Sequence, residues 1–175
     1  MKKCGGLPIH GNVSTSLWHR IRVDEAPGVI AARERGLDVR IVHPGHVTSL
    51  AEAAAACGVP EQSVVKTLVV RRGDQDYVLV LIPGDRSLSW KKLRALLGVN
   101  RMALPDAEEA KAATGYARGT ISPLGLELPI VADERIRGRE ITLGTGLVGT
   151  VVALDADALI ASYAPIVADV TDEAR

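Results

Sequence analysis

Two short apolar segments separated by a polar turn place the strongest constraint on the fold. Residues 64–70 read VVKTLVV and residues 77–82 read YVLVLI, whereas the six residues between them read RRGDQD. β-Branched and aliphatic runs of this length, joined by a polar segment that contains glycine, are typical of an antiparallel β-hairpin. We therefore predict that this hairpin begins a central sheet.

The helices are predicted from capping residues and from the glycines that end them. Ser49 with Glu52, and Asp106 with Glu109, have the spacing of a capping box, in which side chains satisfy the first free N–H groups of a helix. Ser89 and Asp155 stand at equivalent N-terminal positions. The predicted helices cover residues 27–35, 50–57, 90–97, 108–114 and 155–163.

The remaining short apolar segments predict further strands, and their order along the chain indicates the fold class. These strands are predicted at residues 37–42, 99–104, 128–133, 139–144, 148–154 and 165–170. Helices and strands mix without strict alternation, which favours an α+β fold with a mixed, strongly curved sheet over a doubly wound parallel sheet. A chain of 175 residues suits one such domain. We predict a mobile N-terminal extension over residues 1–25 and the domain over residues 26–175.

The charge balance excludes strong overall attraction to a polyanion. The 21 Lys and Arg residues offset 21 Asp and Glu residues, so any nucleic-acid partner must contact a local basic patch. One such cluster surrounds the predicted helix at residues 90–97. It comprises Arg86, Lys91, Lys92, Arg94 and Arg101, with Trp90 among them. Two interpretations stay open: contact with phosphates and a stacked base, or an ordinary solvated helix face.

Lys66 interrupts an otherwise apolar strand face. The two-residue period of a strand places it on the same side as Val64, Leu68 and Val70. Because burying an unpaired charge is costly, Lys66 either reaches solvent at the strand end or lines a polar cavity where an anion or a carbonyl pairs with it.

Two glycine-rich loops are candidate ligand-binding loops. GYARGTISPLG, residues 115–125, has glycines that allow a positive φ and that bring backbone N–H groups close to an anion or oxyanion. The alternative is a tight turn in which Thr120 and Ser122 bond only to local backbone. LGTGLVG, residues 143–149, lacks the GK[ST] ending of a phosphate loop and better fits a hairpin beside a pocket.

Several common chemistries lack their signatures. His43 and His46 form HPGH without further ligands nearby in the sequence, so we predict no metal site. Cys4 and Cys57 do not form a disulfide or zinc pattern, and Cys57 is expected to be a small core residue. No GxSxG segment marks a serine nucleophile. No apolar run approaches the ~20 residues of a membrane span, so we expect a cytoplasmic protein without membrane contact.

Taken together, several motifs resemble the YbaK/prolyl-tRNA synthetase-associated domain family. The motifs are VVKTLVV with its hairpin, SxxKLxxLLG from Ser89, and TGYxxGxISPLG from Thr114. The resemblance extends over about residues 28–170. It implies a single α+β domain with a barrel-like sheet around a small pocket, no metal or organic cofactor, and hydrolysis of the ester between a mischarged amino acid and tRNA.

The resemblance also implies roles for individual residues. Lys66 matches the recurrent lysine of the family pocket, where it contacts the 3′-terminal adenosine or its phosphate, and Gly119 matches the loop glycine whose backbone holds the aminoacyl carbonyl. These two form the predicted catalytic set. The predicted substrate-binding set is His46, Thr120, Ser122, Gly144, Thr145 and Gly146. The predicted tRNA-binding set is Lys91, Lys92 and Arg94.

The late glycine loop departs from the family pattern. YbaK-type members begin this loop with Ser-Gly-Gly and carry an Asp soon after it, whereas this chain has Gly144, Thr145, Gly146 and then Val151. The expected function is a trans-editing deacylase that removes Cys, Ala or Ser from tRNA, with tRNA(Pro) and prolyl-tRNA synthetase as partners. The alternative is a non-catalytic module that binds aminoacyl-tRNA or a synthetase.

Overall fold

The computed structural model describes residues 26–45 and 47–174. The predicted extension at residues 1–25 lies outside this part and stays a prediction. The described residues contain five α-helices: α1 Pro27–Glu34, α2 Leu50–Cys57, α3 Trp90–Leu97, α4 Ala107–Thr114 and α5 Ala156–Tyr163. Among them, no helix combines the length and apolarity needed to cross a membrane.

The predicted capping residues begin most of these helices as expected. The N–H of Glu52 donates to Ser49 Oγ at 3.1 Å, that of Glu109 to Asp106 Oδ1 at 2.8 Å, and that of Ala158 to Asp155 Oδ1 at 2.8 Å. Ser89 precedes α3, but its side chain makes no capping hydrogen bond, because it bonds to Asp172 instead. Ser89 is thus at the predicted N-terminal position, and only the predicted capping bond of its side chain is absent.

The predicted hairpin forms the centre of a mixed sheet. β2 (Val65–Gly73) pairs antiparallel with β3 (Asp76–Pro83), which pairs parallel with β5 (Ile130–Asp133), and β5 pairs parallel with β8 (Ile166–Ala168). The α+β prediction is confirmed by this mixture of strand directions in one domain.

Two smaller sheets complete the strand topology. The antiparallel sheet β1-β7-β6 consists of Arg40–Val42, Val151–Asp155 and Glu140–Gly144, and β4 (Arg86–Leu88) pairs with β9 (Thr171–Glu173). A single parallel bridge between Val64 and Thr142 joins the edges of the two larger sheets. The strands therefore follow one another around a curved, barrel-like surface.

The strand predicted at residues 99–104 is not formed. Ala103 alone pairs there, exchanging backbone hydrogen bonds of 2.9 and 3.1 Å with Arg71. Asn100 and Arg101 are polar and Pro105 has no N–H, so the pairing does not extend. Neither β9 nor its partner β4 was predicted, because each has only three residues, at least two of them polar and at most one aliphatic.

Strand β3 is buried on both faces, which explains its continuous apolar sequence. Leu79 and Leu81 belong to the larger hydrophobic cluster, which also includes residues of α1 and α5. Val78, Val80 and Ile82 belong to a second cluster, closed by Leu93 of α3. The sheet is therefore rigid at the point where β2 presents its other edge to the candidate site.

Candidate active site

A cavity of about 390 Å³ lies between strand β2 and the end of strand β6. Its walls combine residues 64–69 of β2, residues 142–144 of β6, residues 104–107 before and at the start of α4, and the loop residues Arg118, Gly119 and Ile121. Ala110 of α4 and Val151 at the start of β7 complete the lining. Three residues predicted for the site, Lys66, Gly119 and Gly144, therefore border one cavity.

The cavity wall at β2 is an open strand edge. The edge is paired at its two ends, by the Val64–Thr142 and Arg71–Ala103 bridges. Because alternate residues of an antiparallel strand direct both N–H and C=O to the same side, those of Thr67 and Val69 face the same way as those of Arg71. Within the described residues no strand pairs with this stretch, so these backbone donors and acceptors face the cavity unpaired.

Thr67 adds an unsatisfied side-chain group to this edge. Its Oγ1 is buried and has no hydrogen-bond partner in the described part of the chain. A buried hydroxyl without a partner is unusual in a folded protein and costs stability. Sequence reasoning did not single out Thr67, although a polar residue next to Lys66 in an apolar strand was the available signal.

The loop that contains Gly119 forms a tight turn against the cavity. The N–H of Thr120 donates to Ala117 O at 3.0 Å, and Gly119 has φ 89°, as the third position of a type II turn requires. No described residue accepts a hydrogen bond from the Gly119 N–H, whereas the Thr120 N–H is engaged inside the turn. The Thr120 N–H is therefore not free to contact a ligand, whereas the Gly119 N–H at the cavity has no acceptor among the described residues.

Gly144 allows the same loop to pack directly on strand β6. A Cβ atom at this position would lie 2.8 Å from Thr120 O and 2.9 Å from Ile121 O, closer than any side chain tolerates. Gly146 supports the contact, since its N–H donates to Thr120 O at 2.9 Å. The close approach of backbone to backbone fixes the position of the Gly119 turn relative to β6.

Four residues of the predicted substrate-binding set lie behind the cavity wall. Ser122 Oγ accepts the N–H of Leu124 at 3.1 Å, and Thr145 Oγ1 donates to Thr150 O at 3.0 Å. Thr120 and Gly146 bond to the loop backbone as described above. None of these four lines the cavity. His46 lies outside the described residues.

The Lys66 ammonium is held by backbone carbonyls. Nζ donates to Gly84 O at 2.9 Å and to Arg86 O at 2.7 Å, across the turn between β3 and β4. Burial lowers the pKa of Lys66, and the nearby Asp85 carboxylate partly opposes this shift. Because an ammonium has three N–H donors, one remains after these two bonds. Of the two alternatives from the sequence, pairing with carbonyls is the one observed.

The predicted tRNA-binding residues of α3 lie outside the cavity and differ from one another. Lys92 Nζ lies 3.1 Å from Asp169 Oδ1 and 3.2 Å from Asp172 Oδ1, so its charge is compensated. Lys91 is exposed. Arg94 makes no ion pair among the described residues and borders a second cleft.

The described residues contain no group of three or more His, Cys, Asp or Glu side chains that could hold a metal ion. Cys57 is buried and free, and burial raises the pKa of its thiol. The interpretation of Cys57 as a core residue is confirmed.

Comparison with known proteins identifies the family of this site. The model of the aminoacyl-tRNA editing domain matches residues 43–161, which include β2, the Gly119 turn and β6. The chain belongs to this family. The resemblance inferred from VVKTLVV and TGYxxGxISPLG is thereby confirmed.

Individual relatives agree with the family assignment. The proline–tRNA ligase of Trichlorobacter lovleyi is 36% identical over 94 residues, which make up 53% of this chain and 16% of the ligase. The chain thus spans a small part of this relative. The structure of a hypothetical protein has a TM-score of 0.74 at 30% identity, covering 81% of this chain and 96% of that protein.

A second solved structure is that of a protein proposed as a trans-editing enzyme for prolyl-tRNA synthetase. Its TM-score is 0.73 at 28% identity, and the match covers 91% of this chain and 99% of that protein. The editing-domain fold is confirmed by these neighbours. Together the relationships support an editing role and an interaction with tRNA.

Proposed function

We propose that the protein is a trans-acting hydrolase that cleaves the ester between a small mischarged amino acid and tRNA. The observation that carries this proposal is the convergence of Lys66, Gly119 and Gly144, three motif residues distant in sequence, on one cavity. Support for action in trans comes from the 99% coverage of the neighbour proposed to act in this way.

The chemistry of the cavity suits an aminoacyl ester. The Gly119 N–H is free to donate to the ester carbonyl oxygen as negative charge develops on it. The unpaired carbonyls at the β2 edge are suitable acceptors for the α-ammonium group of the amino acid. Asp106, which also caps α4, and Arg118 border the cavity, so one acidic residue lies near the proposed ammonium position and one basic residue is close enough to attract a tRNA phosphate.

Hydrolysis in this site requires positioning more than a strong nucleophile. A water oxygen adds to the carbonyl carbon, the bond from that carbon to the ribose oxygen breaks, and the ribose oxygen takes up the proton lost by the water. Because the ester is already activated, orienting its carbonyl and stabilising the oxyanion suffice for substantial acceleration. Lys66 fixes the turn at Gly84 and Arg86 beside the cavity and keeps one N–H donor for the substrate.

The cavity walls favour small amino acids. Val65, Val69, Leu143 and Val151 contribute aliphatic surface, and Thr67 also borders the cavity. Cys, Ala and Ser are the substrates proposed, and tRNA(Pro) is the proposed carrier because the curated relatives include proline–tRNA ligases.

A deacylation panel tests this function. Wild-type protein is mixed with Cys-, Ala- and Ser-tRNA(Pro), and release of the labelled amino acid is followed over time. We expect rapid release from at least one substrate and loss of most activity in Lys66→Ala. Lys111→Ala, which removes an exposed lysine of α4, is the matched control and keeps its activity. Stable charging of every substrate would contradict the proposal.

A non-catalytic binding module is the second candidate, favoured by one observation. Val151 borders the cavity in the region where YbaK-type members carry an Asp after the glycine loop. This candidate predicts saturable binding of a non-hydrolysable aminoacyl-tRNA analogue without turnover of the corresponding ester. Turnover that depends on Lys66 would exclude it.

A further inference from the structure

A second cleft, of about 700 Å³, concentrates arginine side chains at the far end of β2. Four arginines border it: Arg71 and Arg72 from β2, Arg94 from α3, and Arg101 from the segment between α3 and α4. Asp74 contributes a carboxylate to the same cleft. Since the whole chain has no net charge, this clustering is a local feature of the surface.

The four arginines differ in how far their charge is compensated. Arg71 lies 2.9 Å from Glu109, and Arg72 lies 2.7 Å from Asp76. Arg94 and Arg101 form no ion pair with any described residue. The cleft therefore presents two guanidinium groups free to bind a ligand, whereas Lys92 on the neighbouring face of α3 is already occupied by Asp169 and Asp172.

Two segments of the chain run directly from the catalytic cavity to this cleft. Residues 64–69 of β2 line the cavity and residues 71–73 line the cleft. In the second segment, residues 104–107 line the cavity and residues 100–103 line the cleft. The Arg71–Ala103 bridge lies at the border between the two sites. At the rise of a β-strand, Thr67 and Arg71 are about 13 Å apart along the chain.

We propose that this arginine cleft binds phosphates of the tRNA strand whose 3′ end occupies the cavity. Guanidinium groups bind phosphate oxygens in a bidentate manner. A tRNA strand that leaves the cavity reaches the cleft within about two or three nucleotides. This inference rests on the proposed function. According to this proposal, Arg94 and Arg101 contact tRNA, whereas Lys92 stabilises the protein through its ion pairs.

The test measures binding of uncharged tRNA(Pro) to three proteins over a range of salt concentrations. They are the wild type, the double variant Arg94→Ala/Arg101→Ala, and Arg137→Ala as a matched control. Arg137 is exposed and makes one contact of 3.9 Å with Asp157, so its removal leaves the fold and the cleft intact. Thermal melting of each variant confirms that the protein is folded.

We expect the double variant to bind at least about ten-fold more weakly at low salt. Loss of two phosphate contacts should reduce the slope of log K against log salt by about 1.4 to 1.8, whereas Arg137→Ala should match the wild type. The variant Arg94→Lys/Arg101→Lys, which keeps both charges, should recover most of the slope. An aminoacyl ester of adenosine, which has no phosphate, should be hydrolysed equally by the wild type and the double variant.

The proposal is overturned if the double variant binds tRNA with unchanged affinity and salt slope, or if the wild type binds no tRNA at low salt. Unchanged tRNA binding with loss of synthetase binding would assign the cleft to a protein partner instead. Because uncharged tRNA is the probe, a wild type that hydrolyses no ester but shows the expected binding differences overturns the proposed function and supports the cleft.

Discussion

The cavity beside β2 differs in its polar contacts from the ion-pair network that joins α3, β5 and β9, which consists of Lys92, Asp133, Arg135, Asp169 and Asp172. In the network, the fully buried Asp133 accepts hydrogen bonds from the Val170 N–H at 3.0 Å and from Thr171 Oγ1 at 2.9 Å. At the cavity, the Gly119 N–H has no acceptor among the described residues, and Thr67 Oγ1, which is buried in the wall, has no partner there either. Polar groups with partners stabilise the fold, whereas an unpaired N–H that borders a cavity is available to a ligand.

The two lysines at these places show the same difference. Hydrogen bonding to Asp169 raises the pKa of Lys92, whereas burial lowers the pKa of Lys66. Lys92 is bound by carboxylates, and Lys66 is bound by the neutral carbonyls of Gly84 and Arg86. Lys66 therefore lies at the edge of the cavity without a carboxylate in direct hydrogen-bond contact, and Asp85 is the acidic group that acts on it from nearby.

Breaking the network should have the largest effect, and that effect should be on stability. Asp133→Ala leaves the Val170 N–H, the Thr171 hydroxyl and Arg135 without their shared acceptor, so the free energy of unfolding should fall by about 3 kcal/mol. Urea denaturation measures this change, with exposed Asp38→Ala as the control, expected within about 0.5 kcal/mol of wild type. Deacylation by the folded protein at low temperature should persist; an inactive but fully folded variant would contradict the division between the two regions.

Disturbing the cavity wall should affect activity more than folding. Gly144→Ala pushes a methyl group against Thr120 O and Ile121 O and displaces the Gly119 turn, so the deacylation rate should fall by about 100-fold. Single-turnover rates measure this change. Asp38→Ala is the control, because Asp38 is exposed and borders neither the cavity nor the arginine cleft. Equal rates for both alanine variants would show that the position of the turn is unimportant.

Removing the unsatisfied hydroxyl should separate stability from activity. Thr67→Val keeps the shape of the side chain and eliminates a buried group without a partner, so the free energy of unfolding should rise by about 1 kcal/mol. If the hydroxyl contacts the substrate, deacylation should fall by about ten-fold. Denaturation and rate measurements on the same preparation test both effects, and a less stable variant with wild-type activity would refute this interpretation.

The smallest expected effect is the pH dependence of the network. Hydrogen bonds from Arg135, and then from Lys92, hold the pKa of Asp169 well below its usual range. The stabilisation is therefore present above the unfolded value of about 3.9 and is lost as pH falls toward the lower folded value. Asp169→Asn should cost about 1 kcal/mol near pH 7, since the pair is partly exposed. This difference should shrink below about pH 4, as measured by denaturation at several pH values.

Most of the fold could be predicted from local sequence. The hairpin, the helices and three of the four proposed caps follow from short-range patterns, because these structures depend on residues a few positions apart. The predictions that failed have the same cause, which is that each feature depends on residues distant in sequence. Ser89 bonds to Asp172, more than eighty residues away, and the strand expected at residues 99–104 found a partner for Ala103 alone.

The candidate site was predicted in part, through Lys66, Gly119 and Gly144. Thr120, Ser122, Thr145 and Gly146 belong to the same motifs, yet their hydrogen bonds hold the loops together behind the cavity. Motif membership does not distinguish a residue that contacts a ligand from one that supports it, because both are needed for the same geometry.

The sequence by itself determined the hairpin, most of the helices and the membership of the editing-domain family. Only the tertiary structure decided which polar groups are paired: Lys92 with Asp169, Lys66 with the Gly84 and Arg86 carbonyls, and Thr67 with no described partner. The physical reason is that backbone conformation is set by neighbouring residues, whereas the satisfaction of a buried polar group depends on chain segments that meet only after folding.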